Sequence, residues 1–439
     1  MIQNHKRLIT YLLAISLSTS LAAIDNAHFY KAANLHRSST TSWFDELKNY
    51  ENSNWLTKID ATYAYGDTRS CWDKNGKTAS LLNSTGNQNM LYIAQNVAKV
   101  PSIDQYTNFL AAAAISQAAT NGTFGQLVFN GKFRINDINL NIRQNIAAGF
   151  FLELLTPIRN VSFKNISYTD LSPDDGIYSK TNSTWIQFKN SINTFLNDYG
   201  YKAYNKGYDK TGFGDMTLLL GWEGLFQTGG KDPIKFAFTG KTGVLFPTGT
   251  KEKTDYLFSV PTGYNGHWAI PIFVQLDVMP LKWLTFTGDA SAAFFFDETM
   301  NKRMKTFSKQ QGYIKLAQGR AKEGKGVLWH LGLDAKLDHF FQGVSVLFGY
   351  SYNKQEKDSL KPNNTTLFDG GLVESDSLTR GFTTHVFHLM ADYDYSIHME
   401  DSTWAPRISI FYNYPFAGKN MFKTDLIGAG LGFDIRWKI

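Results

Sequence analysis

A single cysteine, Cys71, stands in 439 residues. No disulfide can form within the chain, and no metal cage can be built from cysteine. Proline is scarce as well: there are 11, and the first is Pro101. Charged residues make up only 19% of the chain. Beyond residue 22 there is no uninterrupted apolar run of the roughly 20 residues that a membrane-spanning helix requires. Neither Gly-x-Ser-x-Gly nor His-Glu-x-x-His occurs. The Gly-Lys-Thr within Thr239-Gly240-Lys241-Thr242 is no phosphate loop, because Lys235 stands where the first glycine of that motif belongs.

Aromatic residues are abundant: 33 Phe, 22 Tyr and 10 Trp. Such residues suit strands, and with so little charge the chain is not disordered. The N-terminus reads as an export signal. His5, Lys6 and Arg7 form a basic start, Leu8 to Leu21 a mostly apolar core, and Ser20-Leu21-Ala22 a small-x-small cleavage site, which gives a signal peptide over 1–22. Residues 23–54 follow as a periplasmic or plug segment. The net charge of +6 does not indicate nucleic acid, since an exported chain rarely meets it and the excess is concentrated in the segment Asp297 to Gly326.

The chain ends in strict alternation. Ile427, Ala429, Leu431, Phe433, Ile435, Trp437 and Ile439 share one face, with Gly428, Gly430, Gly432, Asp434, Arg436 and Lys438 on the other. Successive strand side chains point to opposite sides, so this is one strand with a hydrocarbon face and a charged face. Runs of the same kind recur from Thr57 to Tyr65 and then through the chain, giving about twelve strands. Asn136-Asp137 reads as a tight turn joining two of them, and Pro157 as the point where the second leaves the wall.

Connections alternate between long and short. The longest, residues 67–123, reads as a plug or constriction, with helices over Met90 to Val100 and Thr107 to Ala119. Trp185, Phe188, Ile192, Phe195, Leu196 and Tyr199 recur at helical spacing, which predicts a short amphipathic helix lying on the barrel or membrane surface. Large aromatics on the apolar face band at both strand ends. Trp268, Trp329, Tyr350, Tyr352, Tyr412 and Tyr414 adjoin long loops, and Trp222, Trp283, Tyr393, Tyr395 and Trp437 adjoin short turns. Two aromatic girdles suit two membrane interfaces and have no purpose in a soluble sandwich.

With these features the chain resembles a bacterial outer-membrane β-barrel, and the terminal Gly432-Phe433 followed by Ile435 and Trp437 is similar to that family's assembly signal. It departs by ending in Ile439 rather than an aromatic. Phe246-Pro247-Thr248-Gly249 resembles a motif of barrels that import fatty acids and aromatic hydrocarbons, although the Asn-Pro-Ala of their plug is missing. The resemblance implies an all-β, up-and-down antiparallel transmembrane barrel over 55–439, with helical insertions in extracellular loops. It implies an outer-membrane location, no cofactor and no chemistry of its own. The expected partners are outer-membrane lipid and lipopolysaccharide, the barrel assembly machinery and a small solute.

The polar strand faces would then line a pore. Its candidates are Lys132, Arg134, Arg143, Lys235, Lys241, Asp277, Asp289, Asp334, Lys336, Asp392, Arg407, Asp434 and Arg436. Acidic and basic residues on these faces nearly balance, so no ring of one sign selects ions. Cross-strand pairing into a polar core is an equally good use for them. His330 with Asp334 and Asp338, and His388 with Asp392, stand four apart, about 13 Å along a strand, too far to chelate one ion. Passive or facilitated passage of small solutes is the expected function. A surface barrel with a blocked lumen, an importer of hydrophobic solutes, and a membrane lipase using His385 are the alternatives.

Overall fold

The computed structural model describes residues 55–84, 86–97, 104–116, 122–229, 234–395 and 404–437. The expected signal peptide, residues 23–54 and Lys438 lie outside them, as do the side chains of Arg436 and Trp437. Twelve antiparallel strands close into one barrel: β1 (Trp55–Thr68), β2 (Gln126–Ala147), β3 (Phe150–Asp170), β4 (Met216–Gln227), β5 (Lys235–Phe246), β6 (Ala269–Leu281), β7 (Leu284–Phe295), β8 (Leu328–Phe341), β9 (Val344–Gln355), β10 (Phe382–Asp394), β11 (Trp404–Lys419) and β12 (Leu426–Trp437). Each strand pairs with its neighbours in sequence. Closure is made by β1 and β12, from Trp55 opposite Trp437 to Tyr65 opposite Ile427.

Side chains divide across this wall in the inverse sense to a soluble protein. Outward Leu333 is 65% exposed and Ile410 63%, whereas inward Glu223 is 0% and Arg407 1% exposed. A wall with hydrocarbon outside and charge inside is stable only in lipid. The aromatics expected at the strand ends, among them Trp268, Trp329, Trp283 and Tyr395, stand on this outer face.

β2 and β3 depart from the expected layout. No turn occurs at Asn136-Asp137; β2 runs through both residues, and the hairpin turns at Ala148 and Gly149, with φ of 54° and 80°. Those two left-handed residues suit the twist of a two-residue hairpin. At Gly149 a Cβ would collide with the Glu223 carbonyl oxygen, so only glycine fits. What changes at residue 136 is the environment. Below it, outward β2 residues are apolar (Ile138, Ile142, Ile146) and inward ones polar (Asp137, Asn141, Arg143). Above it, the inward residues are Leu127, Phe129, Phe133 and Ile135, all buried, and Lys132 and Arg134 point outward. The strand keeps its register while its surroundings pass from lipid to water, and the polarity inverts.

Pro157 lies inside β3, where that strand changes partners. Residues 150–155 pair with β4, and residues 158–163 pair with a separate strand, Tyr208–Phe213. A residue with no N–H to donate is tolerated at such a junction.

The extended β2–β3 hairpin carries a dome over the outer mouth. Into it fold the chain after β1, α1 (Asp104–Ser116), α2 (Ser183–Asn190) and α3 (Ile192–Asp198). Residues 90–97 form turns rather than the expected helix, and Thr107 to Ser116 is helical as expected, the ends of both expected helices lying outside the described residues. The predicted amphipathic helix is two short ones, and it does not lie on the membrane. Trp185, Phe188, Ile192, Phe195 and Leu196 are buried in one cluster with Phe124, Phe129 and Phe163. Two small sheets brace the dome: Thr78–Ser80, Ser70–Trp72 and Met421–Phe422 in one, and Glu298–Arg303, Gln318–Gly324 and Ser359–Pro362 in the other.

Cys71 is buried in the first of these, its thiol donating to the Ser80 carbonyl at 3.0 Å. Burial, first, and Asp73 push this thiol up to about 12. Only the thiolate reacts, so a maleimide at pH 7 is expected to leave Cys71 unlabelled in the folded protein and to label it fully after denaturation. Rapid labelling of the folded chain would place the segment elsewhere.

Candidate functional site

The lumen is built from inward side chains alone, and several of them meet as ion pairs that skip a strand. Arg143 on β2 reaches over β3 to Glu223 on β4 at 2.5 Å. Lys241 on β5 reaches over β4 to Glu153 on β3, also at 2.5 Å. Arg407 on β11 contacts Asp434 on β12 at 2.8 Å and Asp60 on β1 at 3.3 Å. Room for Arg407 comes from Gly432 of the terminal strand. A Cβ at Gly432 would collide with Asp60 Oδ1 and stand 3.2 Å from Arg407 Nη2. Lys58 lies within electrostatic reach of Asp434, Arg407, Arg143 and Glu223, which joins these pairs into one network.

The other half of the wall is held mainly by contacts within one strand or between adjacent strands. Lys336 contacts Asp338 at 2.9 Å and Asp392 at 3.9 Å. Asp289 faces His330 at 2.8 Å, and His330 also meets Asn353. Asp277 accepts from Gln275 and Thr287. Asp334 lies buried against Gly349. His388 bonds Ser351 and Asn413. Lys235 stands on the inward face at the turn end of β5, half-buried. Of the expected lining residues, ten therefore point into the lumen: Arg143, Lys235, Lys241, Asp277, Asp289, Asp334, Lys336, Asp392, Arg407 and Asp434. Lys132 and Arg134 do not. They stand on the outer face of the dome, where Lys132 pairs with Asp67 at 2.5 Å, because the strand has already left the membrane.

The network's upper limit is a pair absent from that expectation. Asp137 and Arg159 face each other across β2 and β3, both buried. Arg159 donates through Nε and Nη2 to the two Asp137 oxygens at 3.2 and 3.0 Å, and through Nη1 to the Thr262 carbonyl at 3.0 Å. Reading Asn136-Asp137 as a turn and Pro157 as a strand end hides both residues.

Above this pair, within the dome, lies a cavity of about 110 Å³ bordered by Tyr201, Glu252, Lys302, Tyr313, Lys315 and Glu323, among others. Strand alternation could not have pointed to it, since its residues come from separate loops. Much of the basic segment Asp297 to Gly326 is occupied here. Lys302 binds Glu252 at 2.8 Å and Glu323 at 3.2 Å, and Lys315 binds Asp376 at 2.9 Å. Arg303 donates to the Thr254, Leu316 and Tyr199 carbonyls and stacks 3.6 Å above the Tyr201 ring. Burial, first, pushes the Tyr201 phenol up to about 12.

The triad around Lys302 sets a pH window. Burial works against the Lys302 charge, yet Glu252 and Glu323 outweigh it and hold the ammonium above its ordinary 10.5. Burial works against Glu323 too, yet Lys302, Lys325 and His267 hold its carboxyl well below 4.5. The depressed carboxyl stabilises the fold above its ordinary value and stops doing so as pH falls through the folded one; the raised lysine stabilises below its ordinary value and stops as pH rises through the folded one. Protease resistance of the Glu298–Arg303 and Gln318–Gly324 hairpin is therefore expected to be flat between 4.5 and 10.5 and to fall only outside that range. Resistance already collapsing near pH 6 would contradict this.

Two further motifs resolve locally. In Phe246-Pro247-Thr248-Gly249, Thr248 donates to the Gly214 carbonyl at 2.7 Å and the Gly249 amide to Asp215 at 2.8 Å, so the segment caps a loop. The Tyr264 amide also donates to Asp215. His385 lies on the outer face, 2.7 Å from the Tyr350 hydroxyl and packed on Tyr352 and Phe416.

No family model matches the sequence, and no curated protein matches it. Among solved structures, an outer membrane channel from Pseudomonas putida is similar at 11% identity and a TM-score of 0.45, over 87% of this chain and 95% of that one. The Pseudomonas putida toluene transporter TodX is similar at 9% identity and a TM-score of 0.30, over 96% of this chain and 100% of that one. A Pseudomonas aeruginosa FadL homologue is similar at 11% identity and a TM-score of 0.27, over 97% and 99%.

Proposed function

We propose that this barrel sits in a bacterial outer membrane, inserted there by the barrel assembly machinery through its terminal strand, and passes small polar solutes down a gradient without a covalent step or a cofactor. One observation carries the reading: the inward face of the spanning zone is lined by buried, paired charges, with a charge-bordered cavity above it. A surface that only had to fill a barrel would be served as well by apolar packing, since buried ion pairs are weak stabilisers. Paired charges can exchange partners with a polar solute. At rest the pairs fill the bore and the dome covers it, so passage requires both to yield.

Single-channel recording in planar bilayers tests this. Wild type is expected to show small, intermittent currents. Removing residues 67–123 is expected to raise their size or frequency severalfold. Because that deletion uncovers apolar surface, Arg143→Ala with Glu223→Ala serves as a second variant that keeps the wall neutral, and it is expected to do the same. Silence from all three proteins would leave a structural surface barrel as the better reading.

A further inference from the structure

The outer wall carries one sector in which polarity and shape depart from the rest. Register places Trp329, Lys354, Thr383 and Lys419 in one row across β8 to β11: Trp329 opposite Lys354, Lys354 opposite Thr383, and Thr383 opposite Lys419. Residues of one row point to the same face. Lys354 and Lys419 are both exposed, at the level of the Trp329 ring that marks the outer interface. Two inter-strand spacings, about 10 Å, separate their backbones. Flexible four-carbon stems are long enough for both ammonium groups to reach one anion over Thr383.

Two outward lysines of the dome, by contrast, are matched with carboxylates, Lys132 with Asp67 at 2.5 Å and Lys164 with Asp209 at 2.9 Å. Among the described residues Lys354 and Lys419 form no such pair. The nearby acids are committed to neighbours: Glu356 accepts from the Trp329 indole at 3.2 Å, and Asp425 accepts from the Tyr412 hydroxyl at 2.9 Å. Below the row the outer wall forms a shallow, open groove. It is lined by Leu331 and Leu333 on β8, Tyr350 and Tyr352 on β9, Thr383 and His385 on β10, and Lys419 on β11. The Tyr350 and His385 rings are fixed by their mutual hydrogen bond at 2.7 Å.

We infer that this sector holds a phosphorylated lipid of the outer leaflet, its phosphate between Lys354 and Lys419 and an acyl chain in the groove over Leu331 and Leu333. An unmatched cation pair at the interface with an apolar trough directly beneath complements a lipid that carries an anion at its head. The inference rests on the outer-membrane location and not on passage through the lumen, so silence in bilayer recordings leaves it standing.

Native mass spectrometry of delipidated full-length protein, titrated with diphosphoryl lipid A, tests it. Wild type is expected to retain one lipid saturably. Lys354→Ala with Lys419→Ala is expected to weaken retention at least tenfold, and arginine at both positions to restore it in part. Fully dephosphorylated lipid A should bind wild type no better than the phosphorylated lipid binds the alanine variant. Lys132→Ala with Lys164→Ala should change nothing. All these residues are on the surface, and the heat-modifiable gel mobility of a closed barrel checks folding. Equal retention by wild type and the alanine variant would overturn the assignment. So would displacement by inorganic phosphate at comparable concentration, which would make the site one for the free anion.

Discussion

Replacing Arg159 with alanine is expected to lower the stability of the folded barrel by about 3–5 kcal/mol, the cost of leaving a buried carboxylate without its partner. The side chain is fully buried, commits three of its donors to Asp137 and to the Thr262 carbonyl, and leaves behind a carboxylate with 1% exposure. Almost all of the loss comes from that stranded charge. Pairing Arg159→Met with Asp137→Leu should therefore recover most of it, because an apolar pair of similar volume has no desolvation penalty to offset. Urea titration in lipid vesicles, followed by tryptophan fluorescence, measures both. A double variant as unstable as the single one would show that the Thr262 contact, and not the ion pair, holds the hairpin to its neighbouring loop.

Trp185→Ala is expected to act with similar size but on a different body. The ring is fully buried between Phe124 and Phe188, centroids 5.3 and 5.6 Å away, and its indole donates to Asp170 at 2.8 Å. Truncating a buried tryptophan costs about 3–5 kcal/mol. Asp170 stands at the dome end of β3, beyond the membrane, so the loss should fall on the dome. Limited proteolysis is expected to cut within residues 171–207, while the barrel keeps its resistance to unfolding in sodium dodecyl sulfate. If the barrel loses that resistance too, dome and wall fold as one unit.

The wall can be read from the sequence because lipid enforces a rule that every strand obeys. Ile427 to Phe433, for instance, alternates without a break and pairs where expected with Thr57 to Tyr65. The number of strands follows from the same rule, even though one turn is misplaced. That error has a physical source. The alternation in β2 changes sense at Asn136-Asp137 because lipid gives way to water and packed dome, and a change of solvent looks, in a single sequence, like a change of direction. The lumen charges are legible for the same reason as the wall, with Lys132 and Arg134 lost on the far side of that inversion. The outer cavity is not legible at all. Glu252, Lys302, Glu323 and Asp376 come from loops whose packing no periodicity encodes, and only the surplus of lysine and arginine after Asp297 hints at the acids they meet.

The polarity inversion in β2 and β3 also works as a ruler. From residue 136 to residue 126 the hairpin rises about ten residues beyond the lipid, on the order of 30 Å along the strand. That is comparable to the thickness of the hydrocarbon core itself. Helices α2 and α3 ride at the top of this mast, held by the cluster around Phe124 and Trp185. The top of the dome is therefore lifted clear of the neighbouring lipid head groups. Whatever approaches this protein from the dome side meets a packed aromatic cap well above the bilayer, and not the rim of a barrel.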